Sequence, residues 1–239
     1  MKAMVFAAGL GTRLRPYTND RPKALVEVQG KTLLEIVLLR LKSFGVKEVV
    51  VNVHHYADMV VRFLNEHEHF GLKIVISDER DLLLDTGGGL LKAKKYLEDA
   101  PFLIHNVDIL SDFDLAELLR QHRRDPCLTT LAVRQRETSR YLEFDRYGRL
   151  CGWINKKTGE RKESRKSPPE SEWAYSGMSI IDPTLFAYFP TDKRVFSIID
   201  VWLEAAKHGV IRNFPHDHSS WLDVGKPEAL EKAAQEFDI

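Results

Sequence analysis

The residues best suited to chemistry lie near the N-terminus, in residues 5–16 (VFAAGLGTRLRP). An apolar segment runs into small residues and two glycines there, so a buried strand is expected to end in a loop whose backbone can approach a ligand closely. Thr12 supplies a hydroxyl donor, and Arg13, Arg15 and Lys23 supply three cations. Main-chain N–H groups beside such donors suit a polyphosphate. A tight turn that carries solvated cations is the alternative interpretation.

Two common glycine-rich phosphate motifs do not fit this loop. A dinucleotide-binding fingerprint requires a third glycine, and Leu14 stands there when the spacing is counted from Gly9 and Gly11. The P-loop pattern Gly-x4-Gly-Lys-Ser/Thr does not occur in the loop. What remains is Gly-x-Gly-Thr-Arg-Leu-x-Pro, followed by a Pro-Lys pair at Pro22 and Lys23.

A carboxylate follows the apolar segment 101–105 (PFLIH), in the run Asn106-Val107-Asp108. A carboxylate at the end of a hydrophobic strand is poorly solvated unless it is paired, which indicates a bound cation or an enzyme site. Mg²⁺ prefers one or two carboxylates together with water and substrate phosphates. Asp108 is therefore predicted to be a Mg²⁺ ligand, and Asn106 is a candidate nucleotide contact at the same sheet edge.

The elements that must position these residues alternate between strand and helix. Thr32 and Glu35 form a capping box at the start of one helix, and a second helix is predicted over 56–68. Segments 46–53 and 72–77 are rich in β-branched residues, as in buried parallel strands. This alternation predicts an α/β fold, a Rossmann-like doubly wound mixed sheet, with ligands at the carboxyl ends of its strands.

Glycines mark two further positions where a close approach is expected. Residues 85–89 (DTGGG) precede a helix predicted over 90–97, and three successive glycines are expected to leave N–H groups free at its start. A flexible connector is the alternative there. Gly177 interrupts a strand predicted over 173–182, which indicates a nearby ligand or backbone segment, or else a β-bulge.

The second half of the chain has more β character. A strand is predicted over 127–133 and a β-hairpin over 141–154. Residues 155–172 are strongly polar and are predicted to form a solvated, mobile excursion, because they can bury little apolar surface. A lid over a ligand, with Lys156 and Lys157 as its cations, is the alternative.

Two other patterns suggest metals but fit local structure better. Asp112 and Asp114 form an Asp-x-Asp motif, yet Asp114 precedes a leucine-rich helical pattern and is predicted to be a helix N-cap. The histidine pairs complete no zinc spacing. The histidines expected to be solvated loop residues are His54, His55, His216 and His218.

The glycine loop and its Pro-Lys pair resemble those of the nucleotide-sugar pyrophosphorylases, which join a nucleoside triphosphate to a sugar 1-phosphate. The resemblance covers nearly the whole chain. It implies that the loop wraps the base and phosphates, that Arg13 steadies the leaving pyrophosphate, and that Lys23 contacts the reacting α-phosphate. The implied nucleotide-binding residues are Ala7, Ala8, Gly9, Gly11, Thr12, Arg13, Lys23, Thr86, Gly87 and Asn106.

The same resemblance implies sites for the sugar and for a second metal ligand. Gly88 and Gly177 are the implied sugar contacts. Residues 221–227 (WLDVGKP) resemble the family's Asp-Val-Gly-Thr-Pro segment, which makes Asp223 the implied second Mg²⁺ ligand beside Asp108. A cap of the following turn is the alternative for Asp223. The implied catalytic residues are Arg13, Lys23 and Asp108.

Two positions depart from the family pattern. Val107 replaces the glycine of the usual Asn-Gly-Asp, which adds a side chain beside the predicted site. Lys226 replaces the threonine of the Asp-Val-Gly-Thr-Pro segment and is expected to matter little for the metal.

The resemblance implies a Mg²⁺-dependent transferase that makes a nucleotide sugar and pyrophosphate. Among its short members, the N-acetylmuramate 1-phosphate uridylyltransferases look most similar, and mannose 1-phosphate guanylyltransferases share the same landmarks. Cytidylyl transfer to phosphocholine is a further alternative. Two hypotheses come from other classes: a metal-dependent glycosyltransferase that uses Asp112 and Asp114, and a nucleotide sensor without catalytic activity.

Composition limits the class of protein that this chain can form. The 239 residues are 44% hydrophobic and suit one nucleotidyltransferase domain, with a nucleotide-binding half (1–135) and a sugar-binding half (136–239). A formal net charge of zero argues against bulk electrostatic binding of nucleic acid. Two cysteines make no disulfide framework, and no apolar run or signal-peptide flank indicates a membrane. A cytoplasmic protein is expected, and its oligomeric state is left open.

Overall fold

The computed structural model describes residues 1–237, which divide into two compact units. Within the described residues, the first unit comprises Met1–Leu84, Ile104–Phe113 and residues 219–237. The second comprises Asp85–Leu103 and Asp114–His218. Each unit is therefore assembled from segments that are distant in sequence.

The α-helices of the described chain are short, and most are amphipathic. Their bounds are α1 (Leu33–Ser43), α2 (Ala57–Glu66), α3 (Asp85–Leu97), α4 (Leu115–Arg124), α5 (Ile198–Ala205) and α6 (Pro227–Glu236). Short 3₁₀ turns add Thr12–Leu14, Lys23–Leu25, Glu68–Gly71 and Pro183–Tyr188. Among residues 1–237, no helix has the length and apolar character that a membrane span requires.

The strands fall into three groups along the chain. The first seven are β1 (Lys2–Phe6), β2 (Glu27–Val28), β3 (Lys31–Thr32), β4 (Glu48–Val53), β5 (Lys73–Asp78), β6 (Phe102–Asn106) and β7 (Ile109–Ser111). A second group is β8 (Thr129–Arg134), β9 (Arg140–Phe144), β10 (Leu150–Asn155), β11 (Glu160–Glu163) and β12 (Ser171–Ile181). The last two before α6 are β13 (Ile211–Pro215) and β14 (Trp221–Asp223).

The first unit is built on the parallel strands β1, β4 and β5. Val5 pairs with Val51, which pairs in turn with Ile76. Val50 and Val51 point to opposite sides of β4, and both are buried, so both faces of this sheet are covered. The Thr32 hydroxyl accepts a hydrogen bond from the Glu35 N–H at 3.1 Å and caps α1, as predicted. The predicted α/β alternation is confirmed here.

The short strands β7 and β14 also belong to the first unit. They pair antiparallel, with Asp223 opposite Ile109. The Val224 N–H donates to the carbonyl oxygen of Asp108 at 2.8 Å. Two segments more than 100 residues apart in sequence are thereby joined side by side, and each carries one of the predicted metal-binding aspartates.

The second unit adds antiparallel pairs, so the fold is mixed, as predicted. β8 pairs antiparallel with β12 and parallel with β13. The predicted hairpin is confirmed as β9 and β10, and the Asp145 carboxylate accepts the Tyr147 and Arg149 N–H groups in its turn. This local capping explains why an aspartate stands in the turn.

The polar stretch after β10 is folded, and the prediction of a solvated excursion is wrong for residues 160–163. They form β11, which pairs antiparallel with β10. Arg161 Nε donates to the Glu143 carboxylate at 3.0 Å, and Lys162 Nζ donates to Asp200 at 2.8 Å. Backbone pairing and these ion pairs order a strand whose own side chains are all exposed. Composition alone could not reveal partners that lie elsewhere in the chain.

Candidate active site

The glycine loop after β1 is held by a tight turn at Gly11. Gly11 has a φ of 65°, in the left-handed region that favours glycine, and a Cβ there would lie 2.9 Å from the Thr18 methyl carbon. The Gly11 carbonyl accepts hydrogen bonds from the Leu14 N–H and the Thr18 hydroxyl, both at 2.9 Å. Internal contacts therefore account for Gly11 without a ligand.

Gly9 is different, because the fold itself does not require a glycine there. A Cβ at Gly9 would meet no atom within 4 Å, and its φ is not left-handed. Ala7 and Ala8 are buried at the base of the loop, whereas Gly9, Thr12 and Arg13 are exposed. This is the arrangement expected when the open end of a loop is reserved for a ligand.

A buried polar relay, which the sequence patterns did not predict, anchors the base of the loop. The Ala7 N–H donates to Asn52 Oδ1 at 2.7 Å, and Asn52 Nδ2 donates to Glu79 Oε1 at 2.8 Å. Glu79 Oε2 accepts the Leu84 N–H at 3.1 Å. The available signal was an asparagine within the apolar run VVVNV of β4 and an acid directly after β5.

Lys23 and Asp108 form an ion pair in the first unit. Lys23 lies in a 3₁₀ turn directly after Pro22, and Asp108 lies between β6 and β7. The Lys23 ammonium donates to Asp108 Oδ2, and the two side chains are only 9% and 20% exposed. The structure therefore brings together a predicted phosphate-binding cation and a predicted metal ligand. The neighbouring Val107 is buried, so its side chain is packed in the interior.

Arg13 and Asp223 meet around Gly225. An added Cβ at Gly225 would lie 2.6 Å from Asp223 Oδ1 and 3.0 Å from Arg13 Nη2. A glycine is needed here because both functional groups occupy the space that a side chain would take. Arg13 and Asp223 line a cavity of about 280 Å³ together with residues around the start of α6: Leu222, Gly225, Lys226, Glu228, Ala229 and Lys232.

The two aspartates fit the donor set that Mg²⁺ prefers. Asp108 and Asp223 lie on directly hydrogen-bonded segments, and the cavity beside Asp223 leaves space for water and phosphate oxygens. Within residues 1–237, no cluster of three or more histidine, cysteine, aspartate or glutamate side chains could hold a metal. The backbone segments that carry the two aspartates are thus hydrogen-bonded to each other, and their assignment as Mg²⁺ ligands stays a prediction.

His105 lies on β6, three residues before Asp108, and its side chain is fully buried. Burial, together with the nearby Arg40 guanidinium, lowers the pKa of His105 to about 3. Its Nδ1 lies 2.8 Å from the Asn106 carbonyl oxygen, so an N–H on Nδ1 would donate to it. Arg40 is itself half-buried, and the loss of hydration lowers its pKa to about 10; it donates to the Phe113 carbonyl at 2.7 Å. His105 is therefore a neutral packing residue at ordinary pH.

The triple glycine of the second unit is used differently from the prediction. α3 already begins at Asp85, so the glycines form its first turn. The N–H groups of Gly87 and Gly88 donate to the Phe196 carbonyl at 2.9 and 3.2 Å, and a Cβ at Gly87 would lie 2.5 Å from the Phe196 ring. The expectation that these N–H groups are free is wrong, because α5 and the segment before it pack against this turn. The Thr86 hydroxyl accepts the Ile198 N–H at 3.0 Å.

Gly177 lies in a bulge of β12. Its φ is 80°, and the pairing of β12 with β8 shifts register between Tyr175 and Ser179. The bulge alternative is therefore confirmed, and the assignment of Gly177 to the sugar stays a prediction, as do those of Thr86, Gly87 and Gly88.

The Asp-x-Asp motif serves local structure. Asp114 caps α4 by accepting the Ala116 N–H at 2.8 Å, and it pairs with Arg120 at 2.9 Å. Asp112 accepts the Ser220 N–H at 2.8 Å. The capping interpretation of Asp114 is confirmed.

Two of the histidines expected to be solvated are hydrogen-bonded within the fold. His216 is buried, and its Nε2 lies 2.7 Å from the Ser176 hydroxyl. The Nδ1 of the half-buried His54 lies 2.7 Å from the Glu79 carbonyl oxygen. The expectation is wrong for these two, whereas His55 and His218 are exposed.

Comparisons with known proteins match this chain over nearly its whole length. A family model described as nucleotidyl transferase matches residues 2–238. The chain is 37% identical to an N-acetylmuramate alpha-1-phosphate uridylyltransferase of Caulobacter vibrioides, over 95% of this chain and 93% of the relative. It is 30% identical to a mannose-1-phosphate guanyltransferase of Yarrowia lipolytica, over 95% of this chain but only 61% of that longer relative.

A solved structure supports the fold independently. HddC from Yersinia pseudotuberculosis, complexed with GMP-PN, matches with a TM-score of 0.76 at 23% identity and covers 99% of both chains. The sequence match runs over nearly the full length, and the fold matches as well. The chain therefore belongs to the nucleotidyl transferase family.

Proposed function

We propose that this nucleotidyltransferase transfers a uridylyl group from UTP to N-acetylmuramate 1-phosphate, releasing pyrophosphate. The observation that carries the sugar-1-phosphate nucleotidyltransferase class is the grouping of phosphate-binding cations with two carboxylates in the first unit. Lys23 contacts Asp108, and Arg13 flanks Gly225 together with Asp223. The choice of substrates is supported by the Caulobacter vibrioides relative, which matches over nearly its whole length.

The proposed reaction is an in-line displacement at the α-phosphorus. A phosphate oxygen of the sugar 1-phosphate forms the new P–O bond as the bond to the pyrophosphate oxygen breaks. The attacking phosphate is already an anion, so the chain need not supply a general base. Lys23 holds the α-phosphate, Arg13 holds the departing pyrophosphate, and the glycine loop fixes the base and phosphates through its backbone.

Mg²⁺ belongs to this proposal, with Asp108 and Asp223 as its protein ligands. When bound, it would neutralise negative charge on the triphosphate. The remaining effects come from the chain itself, through positioning and through the cations that face the phosphates.

The test is pyrophosphate release with Mg²⁺ across a matrix of UTP, GTP, CTP, ATP and dTTP against sugar 1-phosphates that include N-acetylmuramate and mannose. Release that requires UTP and N-acetylmuramate 1-phosphate together would support the full proposal. A requirement for GTP and mannose 1-phosphate would favour the second candidate, which the Yarrowia lipolytica relative supports. No release with any pair, including CTP with phosphocholine, would contradict the transferase proposal.

A further inference from the structure

We propose that Asn52 and Glu79 form a positioning pair that holds the nucleotide-binding backbone ready for its ligand. Neither side chain belongs to the groups assigned above to phosphate, sugar or metal. The inference rests on the proposed function, because it concerns the backbone at Ala7 and just before Thr86, two residues proposed to bind the nucleotide.

The pair links the ends of three strands in the first unit. Asn52 lies near the end of β4, and Glu79 directly follows β5. Asn52 Oδ1 accepts the N–H of Ala7, the first residue after β1, and Glu79 Oε2 accepts the N–H of Leu84. The bond from Asn52 Nδ2 to Glu79 Oε1 joins the two halves. A relay of three hydrogen bonds therefore fixes the start of the glycine loop and the backbone two residues before Thr86.

Glu79 is itself rigidly held. It is fully buried, its N–H donates to the Val53 carbonyl at 2.8 Å, and its own carbonyl accepts the Leu82 N–H at 3.0 Å. A buried carboxylate is unfavourable unless hydrogen bonds compensate its lost hydration. An apolar side chain would avoid that cost if the position served packing alone, so the relay points to a requirement for fixed backbone N–H groups.

Asn52 is suited to the middle of the relay because it must accept on one side and donate on the other. In Asn52→Asp, a second carboxylate oxygen would face Glu79 Oε1. In Glu79→Gln, the amide would place an N–H group against either Asn52 Nδ2 or the Leu84 N–H. Each single change leaves one contact of the relay mismatched in a buried site.

The double variant Asn52→Asp/Glu79→Gln reverses the central bond and repairs the mismatch. The new carboxylate at position 52 would accept from the Ala7 N–H and from the new amide group at position 79. The carbonyl oxygen of that amide would still accept the Leu84 N–H. The relay thus predicts a rescue that a loss of volume or charge alone would not produce.

The experiment measures the Kd of UTP, with GTP and CTP in parallel, by calorimetry on the purified full chain and its variants. Each single variant is expected to raise the Kd at least about 10-fold, because the binding-competent backbone is less populated. The double variant is expected to recover to within about threefold of the wild-type value. Val51→Ala, on the adjacent fully buried position of β4, should lower the Tm while leaving the Kd unchanged.

Hydrogen exchange at the Ala7 and Leu84 amides is the second measurement. Exchange should be faster in both single variants and slow again in the double variant. The inference would be overturned if the single variants bound nucleotide and exchanged these two amides as the wild type does. It would also be overturned if Val51→Ala, at the same Tm as the single variants, lost as much nucleotide affinity as they do. If the wild-type chain binds none of these nucleotides, the proposed function fails instead, and the exchange data alone decide whether the relay holds the two amides.

Discussion

The Lys23 ammonium and the Asp108 carboxylate are hydrogen-bonded to each other inside the first unit. Both side chains are largely shielded from solvent, and burying either charge without a partner would be unfavourable. The cation proposed for the α-phosphate and a carboxylate proposed for Mg²⁺ therefore neutralise one another. Under the proposed function, substrate and metal would each exchange partners with this pair on binding.

This ion pair predicts that Lys23→Ala has opposite effects on turnover and on metal binding. Asp108→Asn and Lys23→Ala should each lower turnover at least ~100-fold, the usual scale for losing a group that stabilises charge in the transition state. Lys23→Ala should at the same time strengthen Mn²⁺ binding by the free protein, measured by electron paramagnetic resonance, because Asp108 loses its competing partner. Near-normal turnover in either variant would contradict the assignment. The matched control is Arg15→Ala, which removes a different cation, from residues 5–16.

Gly9 and Gly11 should respond differently to alanine. Gly9→Ala meets no internal atom, so its free energy of unfolding should stay within about 0.5 kcal/mol of wild type. Its KM for the nucleoside triphosphate should nevertheless rise, because the added methyl group occupies space proposed for the ligand. Gly11→Ala should be destabilised by roughly 1–2 kcal/mol from its left-handed backbone alone. An unchanged KM in Gly9→Ala would show that no ligand approaches there.

Gly225→Ala should disturb two functional groups at once. Its Cβ would lie 2.6 Å from Asp223 Oδ1 and 3.0 Å from Arg13 Nη2, so both groups must shift. We expect turnover to fall roughly 10- to 100-fold and Mn²⁺ affinity to weaken, because small misplacements of catalytic groups are costly. Gly209→Ala is the matched control: its Cβ would crowd Leu128 at 2.4 Å, and both of these residues belong to the second unit. It should lower the Tm and leave Mn²⁺ affinity intact.

The burial of His105 predicts a pH-dependent stability. Its folded-state pKa is about 3, whereas an unfolded histidine titrates near 6.5. Below about pH 6.5 the unfolded chain therefore takes up a proton that the folded chain refuses, so the free energy of unfolding falls as the pH falls. Between about pH 6.5 and the folded-state pKa, His105 lowers the free energy of unfolding by about 1.4 kcal/mol for each unit by which the pH falls.

Urea unfolding of wild type and His105→Gln between about pH 7 and about pH 4.5 checks this prediction, because this range lies mostly between the two pKa values. Arg40 and Asp108 are the charged groups that act on His105, with Arg40 lowering its pKa and Asp108 raising it. The variant should lose less stability than wild type across this range. Parallel pH profiles for the two proteins would show that His105 does not titrate as the structure requires.

Local patterns in the sequence were sufficient to predict the main elements and to single out candidate site residues. The glycines and cations of residues 5–16, the aspartate after an apolar strand and the cap at Thr32 depend on neighbours in the chain. Their backbone requirements are local, so they can be inferred from residue type and spacing. The resemblance to a known family was needed for Asp223, whose own surroundings did not distinguish a ligand from a turn cap.

The tertiary structure alone decided which groups meet. Asn52 and Glu79 are 27 residues apart, and Lys23 and Asp108 are 85 residues apart, so no local pattern links them. The partner of the triple-glycine N–H groups could not be predicted from local sequence, because the Phe196 carbonyl that accepts them is more than 100 residues away. The same holds for β11, whose charged side chains find partners on β9 and α5. Spacing reveals backbone preference, whereas hydrogen-bond partners at long range depend on how the strands and helices pack.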